Sequence, residues 1–497
     1  MLFGNRNALA IEIHPLAPSW ERRYPPEATG WAQFALWVQD RNICRHLLEG
    51  GDRVRETLSL PLGPIADWLV RSWPHVELEE RAALFPTTDD PYASLADWGE
   101  RPPPKGSAEN EWVDAREAWW SHHFLTAVGE GICVPFVSFV RQDDTLVVQW
   151  KPRFAGTTQH RSVVDGGRAL LNWSETAQAL DEFVRFVADW FKPEDARTAF
   201  DWVTSGDPLR SRAPSATRAL SLFTGRSERE LAGIVDATDE ETLIERLGLP
   251  GDRTEPAASP VTQALRDLPP GLGRSAGRLL HEMDELTRST GARPAAVHAI
   301  RERARDAARE AATAEEAGYR AANEVRAAIG LDGGAVENVR ELLLQLGVPV
   351  DFRDVRLEGA RMVAGAREGG SCAAFVLFSE RTEVEWGQRF ECARALGHLL
   401  LDPWRVGAIG AASSAFAESL RRRRSGAFAV EFLLPHAAIE KATGGVLDAA
   451  AEPQVFEKLL DGFGVGARSA AYHLWNHKLL SNEGVRDQLI DDYASKK

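Results

Sequence analysis

Five positions from Glu391 to Asp402 fall where a helix could gather side chains for chemistry, and four of them carry a reactive or charged group. In the stretch Gln388 to Asp402, QRFECARALGHLLLD, Glu391, Arg394, Ala395, His398 and Asp402 stand at offsets 0, 3, 4, 7 and 11, which share one helix face. Phe390, Ala393, Leu396, Leu400 and Leu401 recur on the other at roughly helical spacing. A helix that binds zinc for hydrolysis reads His-Glu-x-x-His. Its histidines, one turn apart, hold the metal, and its glutamate acts as general base on a bound water. Here those positions read Arg394-Ala395-Leu396-Gly397-His398. The second histidine stands, the first ligand is an arginine, and the base is an alanine.

A rebuilt metal site needs other donors. His398 and Asp402 at i, i+4 could hold an ion, with Glu391 and Cys392 near and a third ligand from Glu418, Glu431 or His436. The competing arrangement pairs Glu391 and Asp402 with Arg394 and the run Arg421-Arg422-Arg423-Arg424. Opposite charges at i, i+3 on one face make such pairs natural, and this arrangement is the one expected. The arginine run itself reads as an anion or partner site, or as a solvated helix face.

The elements that must position these groups follow from the rest of the chain. A length of 497 residues suggests about three domains. A net charge of -15 and a pI near 5.4 weigh against broad nucleic-acid binding and favour protein partners. Cys44, Cys133, Cys372 and Cys392 show no paired spacing, so neither a disulfide framework nor a zinc finger is expected. The N-terminal MLFGNRNALAIEIH lacks a secretory pattern, and no apolar run is long enough to span a bilayer. A cytoplasmic location without membrane contact is expected.

Thirteen of the 16 tryptophans precede residue 205, marking residues 1–205 as a Trp-rich α+β domain with its own aromatic core. Strands are read at Ala8–Ile13 and Trp31–Val38, and a hairpin at Val134–Val140 and Thr145–Trp150. Helices are read at Ile65–Trp73, Glu111–Val128 and Trp173–Phe191, the last capped by Asn172 or Ser174. Pro86–Ser107 reads as a loop. In Trp119-Trp120-Ser121-His122-His123 the adjacent histidines point about 100° apart, so joint chelation is not expected. Residues 206–314 read as a helical connector or bundle, and Pro294–Ile329 as one long helix of mixed charge. From 315 to 497 the pattern becomes α/β, with helices Tyr319–Ile329 and Val336–Leu346 and short strands at Gly347–Phe352, Arg361–Ala364 and Ser371–Phe378.

This last third resembles the ImmA/IrrE family of metallopeptidase-like proteins. The features that carry the resemblance occur in order: the helix from Ala321 to Gly330; Leu346-Gly-Val-Pro-Val350; the strand Ser371 to Phe378 with its small-residue entry; Arg389-Phe390-x-x-Ala393-x-x-Leu396-Gly397-His398-Leu399-Leu400; Ala427-Phe428-Ala429-Val430-Glu431-Phe432-Leu433-Leu434-Pro435; and Phe463-Gly-Val-Gly-x-Arg468-x-Ala470-Ala-Tyr472-x-Leu474. They cover about residues 315 to 485. The resemblance implies a zincin-like α/β domain ending in a helix-turn-helix-like segment at about 450–485, which also carries His473, His477 and Lys478. The third zinc ligand of the family falls where Arg422 or Arg424 stands. Two of three ligands and the base are therefore absent, and cations beside a vacant dication site add repulsion.

The expected fold is α+β and multidomain. The expected function is that of a catalytically inactive, regulatory or scaffold protein acting through protein–protein contacts. Stress response, phage defence or a toxin–antitoxin-like unit is what the resemblance implies, with the partner encoded nearby. Catalytic residues and cofactors are expected to be none. Arg394, Ala395, His398, Glu391, Asp402 and Glu431 form a vestigial pocket, in which Glu431 is structural. One alternative is an active metal-dependent peptidase using Glu391, His398 and Asp402 with zinc. Another is a nucleic-acid-associated regulator using Arg421–Arg424 and the trihelical tail.

Overall fold

Alternating apolar residues near the N-terminus pair into antiparallel sheets. The computed structural model describes residues 1–16, 30–79, 109–191 apart from 130, 143–144 and 157–158, and 200–231 apart from 213 and 229. It further describes residues 295–346 apart from 310, 312 and 332, and then 350–352, 360–368, 373–378, 385–402, 407–414 and 419–494. The strands between residues 350 and 414 are described by backbone alone. The chain divides into two compact units, Met1–Glu228 and Arg229–Lys497. Each mixes helices with sheets, so the protein is α+β and multidomain.

In the first unit, strands β1 (Leu2–Gly4), β2 (Leu9–Pro15), β3 (Trp31–Val38), β4 (Arg41–Asn42), β5 (His46–Leu48) and β6 (Leu58–Pro61) lead into helix α1 (Leu62–Leu78). Helix α2 (Glu109–His123) follows, then β7 (Val134–Gln142), β8 (Thr145–Ala155), β9 (His160–Ser162), β10 (Gly167–Asn172), α3 (Trp173–Trp190) and α4 (Ala216–Thr224). One antiparallel sheet runs β1-β2-β3-β4 with β6 also on β3, a second runs β10-β8-β7, and β5 pairs with β9. Trp68, Trp73 and Trp202 are fully buried, giving this unit its aromatic core. Helix α3 starts where expected: the Asn172 side chain accepts from Glu175 N at 3.0 Å. The helix read over Glu111–Val128 ends at His123, because Phe124 turns extended and bridges to Ser138. The loop-like stretch Pro86–Ser107 and most of 207–290 lie outside the described residues.

The second unit opens with α5 (Ala295–Arg309) and α6 (Ala314–Ala328). These two helices replace the single one read over Pro294–Ile329. Thr313 starts a new helix, its hydroxyl accepting from Glu316 N at 3.1 Å. Helix α7 (Val339–Gln345), β11 (Val350–Phe352), β12 (Ala360–Glu368), β13 (Ala373–Phe378), α8 (Glu385–Leu401), β14 (Gly407–Ser414) and α9 (Ser419–Leu433) follow. The sheet order is β11-β13-β12-β14, with β11 parallel to β13 and the other pairs antiparallel. Strand β14 is absent from the sequence reading, since GAIGAASS lacks the β-branched, alternating signature of a strand. Helices α10 (His436–Thr443), α11 (Pro453–Phe463), α12 (Ala467–Asn476) and α13 (Glu483–Ala494) close the chain.

Helix α9 is held close to both α6 and α8 by glycines. A Cβ on Gly318 would run into the Arg424 carbonyl oxygen and come within 2.7 Å of Phe428 N, and one on Gly397 would come within 2.9 Å of the Phe428 ring. No helix among the described residues is long and apolar enough to cross a membrane.

Candidate functional site

The polar face of α8 is buried along with its apolar one. Relative exposure is 2% for Glu391, 8% for Arg394, 0% for Ala395, 4% for His398 and 1% for Asp402. Buried charges must be paired, and these are paired with one another. Arg394 reaches Glu391 at 3.3 Å. His398 Nδ1 shares a 2.9 Å hydrogen bond with Asp402 Oδ2, and Arg424 donates to Asp402 Oδ1 at 2.7 Å. Burial alone would raise the Asp402 pKa. His398, then Arg424 and Arg421, outweigh it and hold the carboxyl well below the usual range. Arg305 donates to Leu400 O at 3.1 Å and to Asp402 O, placing a cation at the C-terminal end of α8.

The arginine run divides by direction, as residues 100° apart on a helix must. Arg421 is buried and Arg424 turns to Asp402. Arg423 binds Glu315 at 2.6 and 3.0 Å. Arg422 and Arg423 line a cavity of about 280 Å³ with Tyr319, Arg468, Tyr472 and Asn476 among its walls. The run therefore serves both the buried His398 face and a cavity lined by residues of α6, α9 and α12.

Glu431 is brought to a different set of neighbours from those expected of a vestigial zinc helix. It is 1% exposed, and its Oε1 accepts from His436 N at 3.1 Å. Its Oε2 lies 3.2 Å from His473 Nε2 and 3.4 Å from His477 Nε2. Burial would raise its pKa, but His473 and His477 hold it well below the usual carboxylate range. His473 Nε2 also lies 3.0 Å from Leu434 O. The Tyr319 ring stands 5.3 Å from His473 and 4.6 Å from His477, and Asn476 Nδ2 donates to its hydroxyl at 2.9 Å. Burial pushes the Tyr319 pKa up to about 12. The His473/His477 spacing of i, i+4 was the available sequence signal. Nothing in the sequence ties Glu431 on α9 to that pair on α12.

The rebuilt site read from sequence is not assembled as one cluster. His398 and Asp402 come together, Glu391 is turned to Arg394, Glu431 and His436 stand beside α12, and Glu418 lies outside the described residues. Among the described residues, the group of three His, Cys, Asp or Glu at metal-ligand spacing is Glu431, His473 and His477.

A second buried His–Glu cluster lies in the first unit. Glu79 Oε2 lies 2.6 Å from His75 Nδ1 and 3.2 Å from His123 Nε2, and His123 Nδ1 donates to Phe139 O at 2.8 Å. The His122 ring stacks on His75 at 3.7 Å. His122 and His123 both join this cluster, His122 through the ring of His75 and His123 through the Glu79 carboxylate.

No family model, curated protein or solved structure matches this chain.

Proposed function

We propose that this protein is a non-catalytic regulatory or scaffold protein, and that its C-terminal unit is a zincin-like domain of the ImmA/IrrE type that has lost peptidase chemistry. The observation that carries the reading is the chain His398–Asp402–Arg424. A histidine at the ligand position is bonded to a buried carboxylate, which a guanidinium also binds at 2.7 Å. A metal that used both His398 and Asp402 as ligands would have to take Asp402 from Arg424, and any ion there would sit near two further cations, Arg394 and Arg421. The order of a mixed sheet, α8 and α9 around this face supports the fold assignment. A cytosolic home fits Cys44, Cys133 and Cys392, all free thiols whose pKa burial raises to about 12. Regulation in stress or phage defence follows from the resemblance alone.

The partner we favour is an acidic protein segment seated in the α6–α9–α12 cavity. Three cations line it, Arg422, Arg423 and Arg468, against one carboxylate, Glu315. Tyr319 and Tyr472 add amphipathic surface, Tyr472 being 39% exposed. A labelled Glu/Asp-rich peptide should bind the full chain at low salt. The pair Arg422→Glu and Arg468→Glu should weaken it by about tenfold or more, since charge-assisted contacts contribute about 1.5–3 kcal/mol each. A DNA duplex binding more tightly than the peptide would move the reading to the nucleic-acid alternative. Binding of neither would overturn the assignment of this cavity.

A further inference from the structure

We propose that Glu431 Oε2, His473 Nε2 and His477 Nε2 form a site for a divalent transition cation of the zinc class, joining α9 to α12. Zinc bonds to imidazole nitrogen and carboxylate oxygen of about 2.0–2.2 Å make the ligand-to-ligand edge of a tetrahedral site about 3.3–3.6 Å. The two carboxylate edges here are 3.2 and 3.4 Å. All three donor atoms lie within 4.8 Å of one another. A carboxylate bonded to an imidazolium would be drawn closer, to about 2.7–2.9 Å, as Glu79 and His75 are in the first unit at 2.6 Å. The Glu431–His477 edge falls in the tetrahedral range and the Glu431–His473 edge just under it, a spacing that Glu79 and His123 share at 3.2 Å.

The surroundings point the same way. Glu431 Oε2 and His477 Nε2 are buried with no hydrogen-bond partner among the described residues. The other oxygen of Glu431 is fixed by His436 N at 3.1 Å, the outer contact that orients a ligating carboxylate. The His436 ring stacks on His477 at 4.3 Å and holds its plane. In the metal-free protein His473 Nε2–H donates to Leu434 O at 3.0 Å, and the cation would replace that proton. Glu431 and His473 side chains are 1% and 0% exposed, while His477 is 20% exposed. The donor atoms are buried, and of the three side chains His477 is the one that reaches solvent, so an incoming ion would pass by its ring. Two imidazoles and one carboxylate suit Zn²⁺, Co²⁺ or Ni²⁺ and not the oxygen-preferring Mg²⁺ or Ca²⁺. His473 also lines the arginine-bearing cavity, so a bound cation fixes one of its walls.

The test uses the full chain, stripped with a chelator and titrated with Co²⁺ as a spectroscopic probe and then with Zn²⁺. One equivalent should bind, with the visible absorption of four-coordinate Co²⁺, and should raise the melting temperature. His477→Ala, at the partly exposed ligand, should weaken binding beyond the roughly 10–100-fold that loss of an outer partner costs. His477→Gln is the second variant should the alanine form fail to fold. Wild-type protein that takes up no Co²⁺, or unchanged affinity in a folded His477 variant, would overturn the site.

Discussion

Asp402→Ala is expected to destabilise the C-terminal unit by about 3–5 kcal/mol, the cost of removing one partner from a buried charge cluster. The native carboxylate is 1% exposed and serves His398 and Arg424 at 2.9 and 2.7 Å. Alanine leaves Arg424 without its carboxylate acceptor at Asp402, beside the buried Arg421. Against a typical total of about 5–15 kcal/mol that loss is large. Asp402→Asn keeps an acceptor for His398 and should cost less. The double variant Asp402→Ala/Arg424→Ala should cost less than the sum of the singles by roughly 0.5–3 kcal/mol, because the pair is removed together. Urea unfolding of the four proteins measures this. A loss under about 1 kcal/mol for Asp402→Ala, with additive singles, would mean that the face is not held by these charges.

Acidification is expected to weaken the N-terminal unit well above the carboxylate range. The His122 pKa is pushed down to about 3 by burial first, then by His75, with His123 and Arg71 adding to the repulsion and Glu79 opposing it. A folded pKa below the unfolded value near 6.5 means that the unfolded chain takes the proton first. Stability is therefore full above about pH 6.5 and falls as pH drops toward 3. By pH 5 the loss is about 1–2 kcal/mol, allowing for the partial exposure of the ring. Glu79, depressed by His75 and His123 against the opposing effect of burial, adds a further loss only below its ordinary value of 4.5. Calorimetry from pH 7 to 5 should show the first transition falling in wild type and falling less in His122→Asn. Equal slopes in the two proteins would remove His122 as the cause.

Local signals made much of the fold legible. Asn172 announced α3, and the 3.6-residue period of Phe390 to Leu401 announced α8. Tertiary relations were not legible. The polar face of α8 reads as a surface or pocket, and only the packing of α9 through Gly318 and Gly397 reveals that it is buried. Four consecutive arginines look alike in sequence, but helical geometry sends Arg424 to Asp402 and Arg422 to the cavity. The Glu431–His473–His477 cluster joins residues from two helices, and only half of it, the i, i+4 histidines, leaves a local trace.

The central claim is that the His398 face is a charge-paired remnant and that the protein does not cleave peptides. The most direct measurement incubates the zinc-supplemented full chain with a pool of unstructured peptides and reads products by mass spectrometry, beside His398→Ala and His477→Ala. All three proteins should leave the pool uncleaved. Peptide cleavage by the wild type that disappears in either histidine variant would contradict it.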